Sequence, residues 1–151
     1  MGTRPELKHK LIQGGTFVDE RGYVSFINKA NLINVKRIYT IKNHQTNFIR
    51  AWHGHKKESK FFMAISGSFL VGLININNFQ NPSKKLKAKK IFLSENNPQI
   101  LFVPKGYANG IMNLEPNSKL LVFSDMTLLE SGNDDYRFAY DYWNIWQIDK
   151  K

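Results

Sequence analysis

The sequence predicts an all-β fold, a barrel or sandwich of short strands, and three observations carry that prediction. Segments of about four to eight residues rich in Val, Ile, Phe and Tyr recur along the chain, separated by Gly, Asn, Pro or charged breaks. No window of about 12 residues keeps a 3.6-residue period without a Gly, a Pro or a β-branched run interrupting it. No internal repeat or low-complexity linker divides the chain. Roughly ten strands with close turns are the material of a barrel or sandwich.

Taken in order, strands are expected at residues 22–28, 35–42 and 48–55, with asparagine-rich breaks between them. Residues 60–66 and 68–76 flank Gly67, which marks a tight turn between two apolar runs. Residues 87–93 follow a break that ends in Asn81-Pro82, and residues 99–103 lie between Pro98 and Pro104. Residues 108–113 and 120–125 sit on either side of Pro116-Asn117, and a last strand is expected at 143–145. Single helical turns are expected at 28–32 and 134–137.

At 151 residues the chain suits a single domain spanning 1–151, with an ordered core at about 11–148, and is too short for two ordinary domains. With 42% hydrophobic and 13% aromatic residues the composition is that of a folded protein, not a disordered one. The absence of cysteine excludes disulfides, thiolate nucleophiles and thiolate metal ligands. Behind Met1-Gly2-Thr3-Arg4-Pro5-Glu6 there is no apolar core of leader length, and nowhere do about 18 apolar residues run together. A soluble cytoplasmic protein with no membrane partner is the expectation.

The formal charge of +10 raises polyanions as partners. Much of the excess is local, in the run from Lys84 to Lys90 and in Lys56-Lys57, where side chains can simply be solvated. A nucleic-acid surface calls for aromatics interleaved with basic residues, and the run from Lys84 to Lys90 contains none. No nucleic-acid partner is expected. A phosphorylated small molecule fits the charge better.

The most informative segment is Arg50-Ala51-Trp52-His53-Gly54-His55, which places two of only four histidines on alternate positions of an expected strand. Side chains two apart on a strand share a face, about 7 Å apart. Strict alternation turns Ile49, Ala51, His53 and His55 one way and Arg50, Trp52 and Gly54 the other, unless a bulge intervenes. Two imidazoles facing one cavity suit a metal site or a proton-transfer site. The metal reading needs a third ligand, for which Glu58 and the segment from Pro104 to Asn109 are the available sources. The last position is Asn109, a poor ligand for the ions that imidazole attracts. The reading is therefore metal-free, with no cofactor.

Several motifs occur in an order that resembles a known family: Phe17-Val18-Asp19-Glu20-Arg21-Gly22, Ile49-Arg50-Ala51-Trp52-His53, Lys60-Phe61, Gly67-Ser68, Leu93-Ser94-Glu95-Asn96, and Val103-Pro104-Lys105-Gly106-Tyr107-Ala108-Asn109-Gly110. With them the chain resembles cupins of the nucleotide-sugar epimerase and isomerase group, which includes dTDP-4-dehydrorhamnose 3,5-epimerases and dTDP-sugar 3,4-ketoisomerases. The resemblance implies a double-stranded β-helix, the jelly-roll cupin barrel, with at most one or two short helices. It also implies a homodimer closed by strand exchange and a dTDP-sugar or other nucleotide-sugar substrate.

The chemistry of that group is proton abstraction beside a ketone. A 4-keto sugar has acidified C–H bonds flanking its carbonyl, and a neutral imidazole with a pKa of about 6.5 suits their removal. His53 matches the family's base, and Lys60 and Arg50 are the candidates to stabilise the developing enolate. Arg21 matches the position that contacts the nucleotide, often across the dimer interface; its other reading is a turn-closing ion pair with Asp19 or Glu20. Tyr107 and Asn109, in the Pro-x-Gly segment, complete the substrate-side candidates.

The two branches differ in stereochemistry. A 3,5-epimerase needs a proton donor opposite its base, and the tyrosine that serves there falls on Val122 in this chain. The aspartate that orients the epimerase base, near the end of a longer chain, is likewise expected to be missing. A 3,4-ketoisomerase moves protons through an enediol, which His53 as base, His55 as shuttle and Tyr39 as donor or orienting hydroxyl can perform. Against this, Leu93-Ser94-Glu95-Asn96 and the segment from Pro104 to Gly110 resemble the epimerase branch, in which Tyr107 or Tyr136 would have to serve as acid. The reading leans to a 3,4-ketoisomerase of an NDP-4-keto-6-deoxyhexose, with a 3,5- or 3-epimerase as alternative. A non-catalytic cupin that binds a sugar or nucleotide is the alternative of another class.

Overall fold

Alternating apolar residues fold here into two facing sheets with a filled interior and one open end. The structure, a computed structural model, describes residues 8–148; the first six residues, read above for a leader, lie outside it. In chain order the strands are β1 (Lys10–Gln13), β2 (Gly15–Asp19), β3 (Gly22–Phe26), β4 (Arg37–Ile41), β5 (Ile49–His55) and β6 (Lys60–Ser66). They continue with β7 (Ser68–Asn75), β8 (Lys89–Ser94), β9 (Gln99–Val103), β10 (Tyr107–Asn113) and β11 (Lys119–Ser124). The helix α1 (Leu128–Gly132) and the short strand β12 (Tyr136–Arg137) follow.

One sheet has the order β1-β9-β6-β11-β4 and the other β12-β5-β10-β7-β8, with β2-β3 as a separate hairpin. Every pairing is antiparallel. From β4 onward the chain passes repeatedly from one sheet to the other, which is the winding of the expected jelly roll. No helix among the described residues is long and apolar enough to cross a membrane.

Two apolar clusters hold the barrel. The interior one joins Phe62, Phe69, Leu73, Leu93, Leu101, Leu120 and Val122 across the two sheets. Each such buried side chain contributes about 1.5–3 kcal/mol. The second lies outside the barrel: Trp52, Leu70, Ile74 and Met112 are covered by Trp143 and Trp146 of the C-terminal segment. The aromatic C-terminus is thus a second core. The indole Nε1–H groups of Trp52 and Trp146 both donate to the Tyr140 carbonyl, at 3.1 and 3.0 Å, which satisfies the polar ends of the buried rings. Gly72 lies beneath this layer, where an added Cβ would come within 2.6 Å of the Trp52 ring.

The structure corrects several sequence expectations. Residues 143–145 form no strand; this stretch turns so that Trp143 and Trp146 can reach Trp52. Residues 28–32 form turns, not a helix. The second expected helical turn, 134–137, is also absent, because Asp134 is engaged elsewhere and Tyr136–Arg137 pairs with His53 and Gly54 as β12. The helix instead comes just before it, over Leu128–Gly132, started by a capping box in which Thr127 and Glu130 satisfy each other's backbone N–H. Strands β1 and β2 were not foreseen; they are short, largely exposed, and β1 is recruited only by its distant partner β9.

Candidate active site

Strand β5 supplies the centre of the site, and a bulge decides its composition. Asn109 of β10 lies opposite His53, but Ile111 lies opposite Arg50. Two residues of β10 therefore span three of β5, so one extra residue interrupts the alternation. Ala51 and Trp52 both join the outer cluster, while Arg50 comes to line the same cavity as His53 and His55. Strict alternation had put Arg50 on the far face; the bulge overturns that.

The cavity, about 320 Å³, opens at one end of the barrel. Tyr39 and Lys60 line it from one sheet, and Arg50, His53, His55 and Asn109 from the other. The segment following α1 adds Asp135 and Arg137. Six of the eight residues singled out from the sequence thus meet in one place.

His55 is held most tightly. Its Nδ1 lies 2.6 Å from the Asp134 carbonyl oxygen. A carbonyl only accepts, so Nδ1 carries the proton and Nε2 presents a lone pair. That Nε2 is buried and has no hydrogen-bond partner. Asp134 is itself anchored, its carboxylate accepting the backbone N–H groups of Lys56, Lys57 and Glu58 at 2.9 Å each. His53 is about one-third exposed, with Nδ1 3.9 Å from Asp135 Oδ1. A carboxylate beside this histidine was expected to be missing; the loop between α1 and β12 brings one.

Both imidazoles are pushed below their ordinary pKa. For His53 the cause is burial, followed by the charges of Arg137 and Lys60, which together outweigh the opposing Asp135. For His55 it is burial and Lys60, opposed by the Asp134 carbonyl, Glu58 and the Asp134 carboxylate. Both rings are therefore neutral at pH 7 and able to accept a proton.

Lys60 Nζ donates to the Tyr39 hydroxyl at 3.1 Å. With its oxygen accepting from the ammonium, the phenol directs its own proton elsewhere. Tyr39 lies directly opposite Val122 in the β4–β11 register. A phenol therefore stands beside Val122 on the neighbouring strand. Arg50 is aimed by Asn43, whose Oδ1 accepts from Arg50 Nε at 2.6 Å, and Asn43 is in turn tied to Asn113 Oδ1 at 3.0 Å.

Two residues lie elsewhere. Tyr107 is outside the cavity lining: its ring is part of the interior cluster and its hydroxyl reaches His9 Nδ1 at 3.4 Å. Its place on the substrate side is therefore corrected. Arg21 sits on the β2–β3 hairpin, where its Nη2 and Nε both donate to Asp19 Oδ2, at 2.6 and 3.1 Å, and its backbone N–H donates to Oδ1 at 2.9 Å, and it lines a separate surface depression. Glu58, weighed as a metal ligand, has its two oxygens engaged by Ser124 and Ser131 at 2.6 Å each. Among the described residues no group of three or more His, Asp or Glu is arranged to hold a metal ion.

Sequence reasoning missed Asp135, Arg137, Ser131 and the anchoring role of Asp134. The Thr127-x-x-Glu130 box would have moved the expected helix upstream and freed residues 134–137 to be read as site residues.

The sequence matches, over residues 7–145, the family described as FdtA: WxcM-like, C-terminal. The chain belongs to this family. Among solved structures the WxcM-like chain is similar to the WlaRB TDP-quinovose 3,4-ketoisomerase from Campylobacter jejuni, at 24% identity over 89% of this chain and 95% of that one, with a TM-score of 0.67. It is similar to the 3,4-ketoisomerase QdtA from Thermoanaerobacterium thermosaccharolyticum in complex with TDP, at 22% identity over 89% and 90%, TM-score 0.66. It is also similar to the dTDP-4-dehydrorhamnose 3,5-epimerase from Elizabethkingia anophelis NUHP1, at 17% identity over 99% and 86%, TM-score 0.75. At these identities the WxcM-like chain shares their fold, the expected jelly roll. No curated protein sequence matches it.

Proposed function

We propose that the chain is a sugar-nucleotide 3,4-ketoisomerase acting on an NDP-4-keto-6-deoxyhexose, dTDP-linked as in the ketoisomerases whose fold it shares. One observation carries the reading: His53, His55 and the Lys60-bound Tyr39 hydroxyl line a single cavity while the strand position of the epimerase phenol is the buried Val122. His53 takes the proton from C3, and the electrons of that bond form C3=C4 while O4 takes the Tyr39 proton. Loss of the O3 proton, back to Tyr39 through the His55 Nε2 lone pair, then forms C3=O, and His53 returns its proton to C4. The net change moves a hydrogen from C3 to C4 and the carbonyl from C4 to C3. Lys60 and Arg50 stabilise the enolate charge, and Asn109 lies across from His53 to orient the sugar.

A cavity of about 320 Å³ is at the small end for ligand sites. It suits the sugar ring, leaving the nucleotide at the mouth. In this reading Arg21 meets the nucleotide from a second copy. The hairpin that carries Arg21 exposes Phe17, Val18, Tyr23 and Val24, an apolar surface that a twofold homodimer would cover. Size-exclusion chromatography at micromolar concentration is expected to return a dimer, and a monomer there removes Arg21 from the site.

Asp135 beside His53 favours a second reading, a 3,5- or 3-epimerase with a carboxylate-supported base. Turnover of dTDP-4-keto-6-deoxyglucose in heavy water separates the two. The ketoisomerase moves the ketone to C3 and leaves C5 unlabelled, its new C4–H carrying deuterium only as far as the proton held by His53 exchanges with solvent; label at C3 or C5 with the ketone still at C4 establishes the epimerase instead.

A further inference from the structure

Glu58 lies behind the wall of the cavity and lines none of it, yet it is the nearest charged partner of two side chains that do, Lys60 and His55. Its side chain is completely buried. A carboxylate in such a position destabilises the fold unless hydrogen bonds and opposite charges compensate it. Here Ser124 Oγ and Ser131 Oγ each donate to it at 2.6 Å. Oε2 stands 3.8 Å from Lys60 Nζ and 3.6 Å from Arg37 Nη2, and Oε1 stands 3.5 Å from His55 Nδ1. The serines come from β11 and α1, the cations from β6 and β4, and the imidazole from β5. One fixed negative charge therefore sits where five elements converge, and the hydroxyls leave it no freedom to move.

We propose that Glu58 is the positioning residue of this site, its buried carboxylate holding the Lys60 ammonium against the Tyr39 hydroxyl and keeping the Nδ1–H face of His55 turned away from the cavity. The inference rests on the ketoisomerase reading for its effect on turnover and on geometry alone for its effect on His55. Without the carboxylate, Lys60 loses its ion pair, keeps only the hydrogen bond to Tyr39, and is free to swing toward solvent or substrate. The phenol then loses the contact that directs its proton. His55 keeps the Asp134 carbonyl but loses the nearer of the two carboxylates that favour its protonated form. The charged or titratable groups facing it are Lys60 from β6, Glu58 and Asp134 from the adjoining loops, and His53 from its own strand. Those facing Glu58 itself are Arg37, His55, Lys60 and Asp125.

The test is Glu58→Gln in the full-length protein. Glutamine keeps the volume, and both serine hydroxyls can bond it because Ser Oγ accepts as well as donates, so only the charge is removed. The expected result is a fall in kcat of about 10- to 100-fold with KM changed by less than about threefold, as for loss of alignment without loss of binding. In the ligand-free protein the ¹⁵N imidazole titration of His55 is expected to move to lower pH, since the nearer carboxylate is lost and only the more distant Asp134 still opposes Lys60. Ser131→Ala, which leaves the charge but releases one of its two anchors, is expected to lower kcat several-fold and provides the same readouts if Glu58→Gln fails to fold. A purely structural brace would lower Tm while leaving kcat per folded molecule and the His55 titration unchanged, and that result overturns the assignment. Should the unsubstituted protein turn over no 4-keto sugar, the His55 titration alone decides the role of Glu58, and the functional reading falls separately.

Discussion

His53→Asn is expected to lower kcat about 10²- to 10⁴-fold, the range a positioned general base contributes. Asparagine preserves polarity and approximate size but cannot take a proton from carbon. The ring is only part-buried, and its Nδ1 faces Asp135 at 3.9 Å, so the substitution opens no cavity in the core and Tm should hold. Affinity for thymidine diphosphate, measured by calorimetry, should also hold, because the proposed mechanism sets the reacting carbon and not the nucleotide against this residue. Retained turnover in the variant would leave His53 a wall residue and pass the role of base to His55.

The same residue predicts the pH profile of the unsubstituted enzyme. Burial, then Arg137 and Lys60, hold the His53 pKa below the ordinary imidazole value. The working form is neutral, so kcat/KM should stay level as pH falls through about 6.5 and decline only below it. Stability follows the same sign. Both imidazoles titrate lower in the folded chain than in the unfolded one, so below about pH 6.5 the unfolded chain takes up protons first and the fold loses stability. An acid limb of kcat/KM centred above pH 6.5 would contradict the burial of the base.

Asp134→Ala is expected to destabilise the protein by about 3 kcal/mol, with a fall in Tm of roughly 10 °C. The carboxylate accepts three successive backbone N–H groups in the turn after β5. Lys56 and Lys57 are exposed and can bond water instead, but the Glu58 N–H is buried and is left unsatisfied. The effect reaches the site because the carbonyl of the same residue holds His55 Nδ1. A looser Asp134 frees that ring to adopt its other tautomer. Thermal denaturation checks the first effect, and a Tm within about 2 °C of the parent would mean that the turn does not depend on this clamp.

What could be read along the chain was whatever has a short period. Nine of the ten strands expected from apolar runs form close to their expected positions, from β3 to β11, because interior positions recur every second residue. The histidine pair was legible for the same reason, and Lys60, Tyr39 and Asn109 were legible through the order of motifs around them. The misses share a cause. Asp135 and Arg137 follow the histidines by about 80 residues, and nothing local marks them as neighbours. Arg50 was turned to the wrong face because the bulge that redirects it exists only in the pairing with β10.

By itself, then, the amino-acid order determined that short antiparallel strands would form, that two imidazoles would share a face, and that no thiol chemistry was available. Alternation and composition act within a few residues, and they are written in the chain. Only the tertiary structure decided that a bulge would bring Arg50 beside those imidazoles, that the loop after α1 would deliver Asp135 and the carbonyl of Asp134, and that Glu58 would be sealed beneath Lys60. Each of these depends on contacts between segments far apart in the chain, whose register is set by the packing of the whole barrel and not by any neighbouring residue.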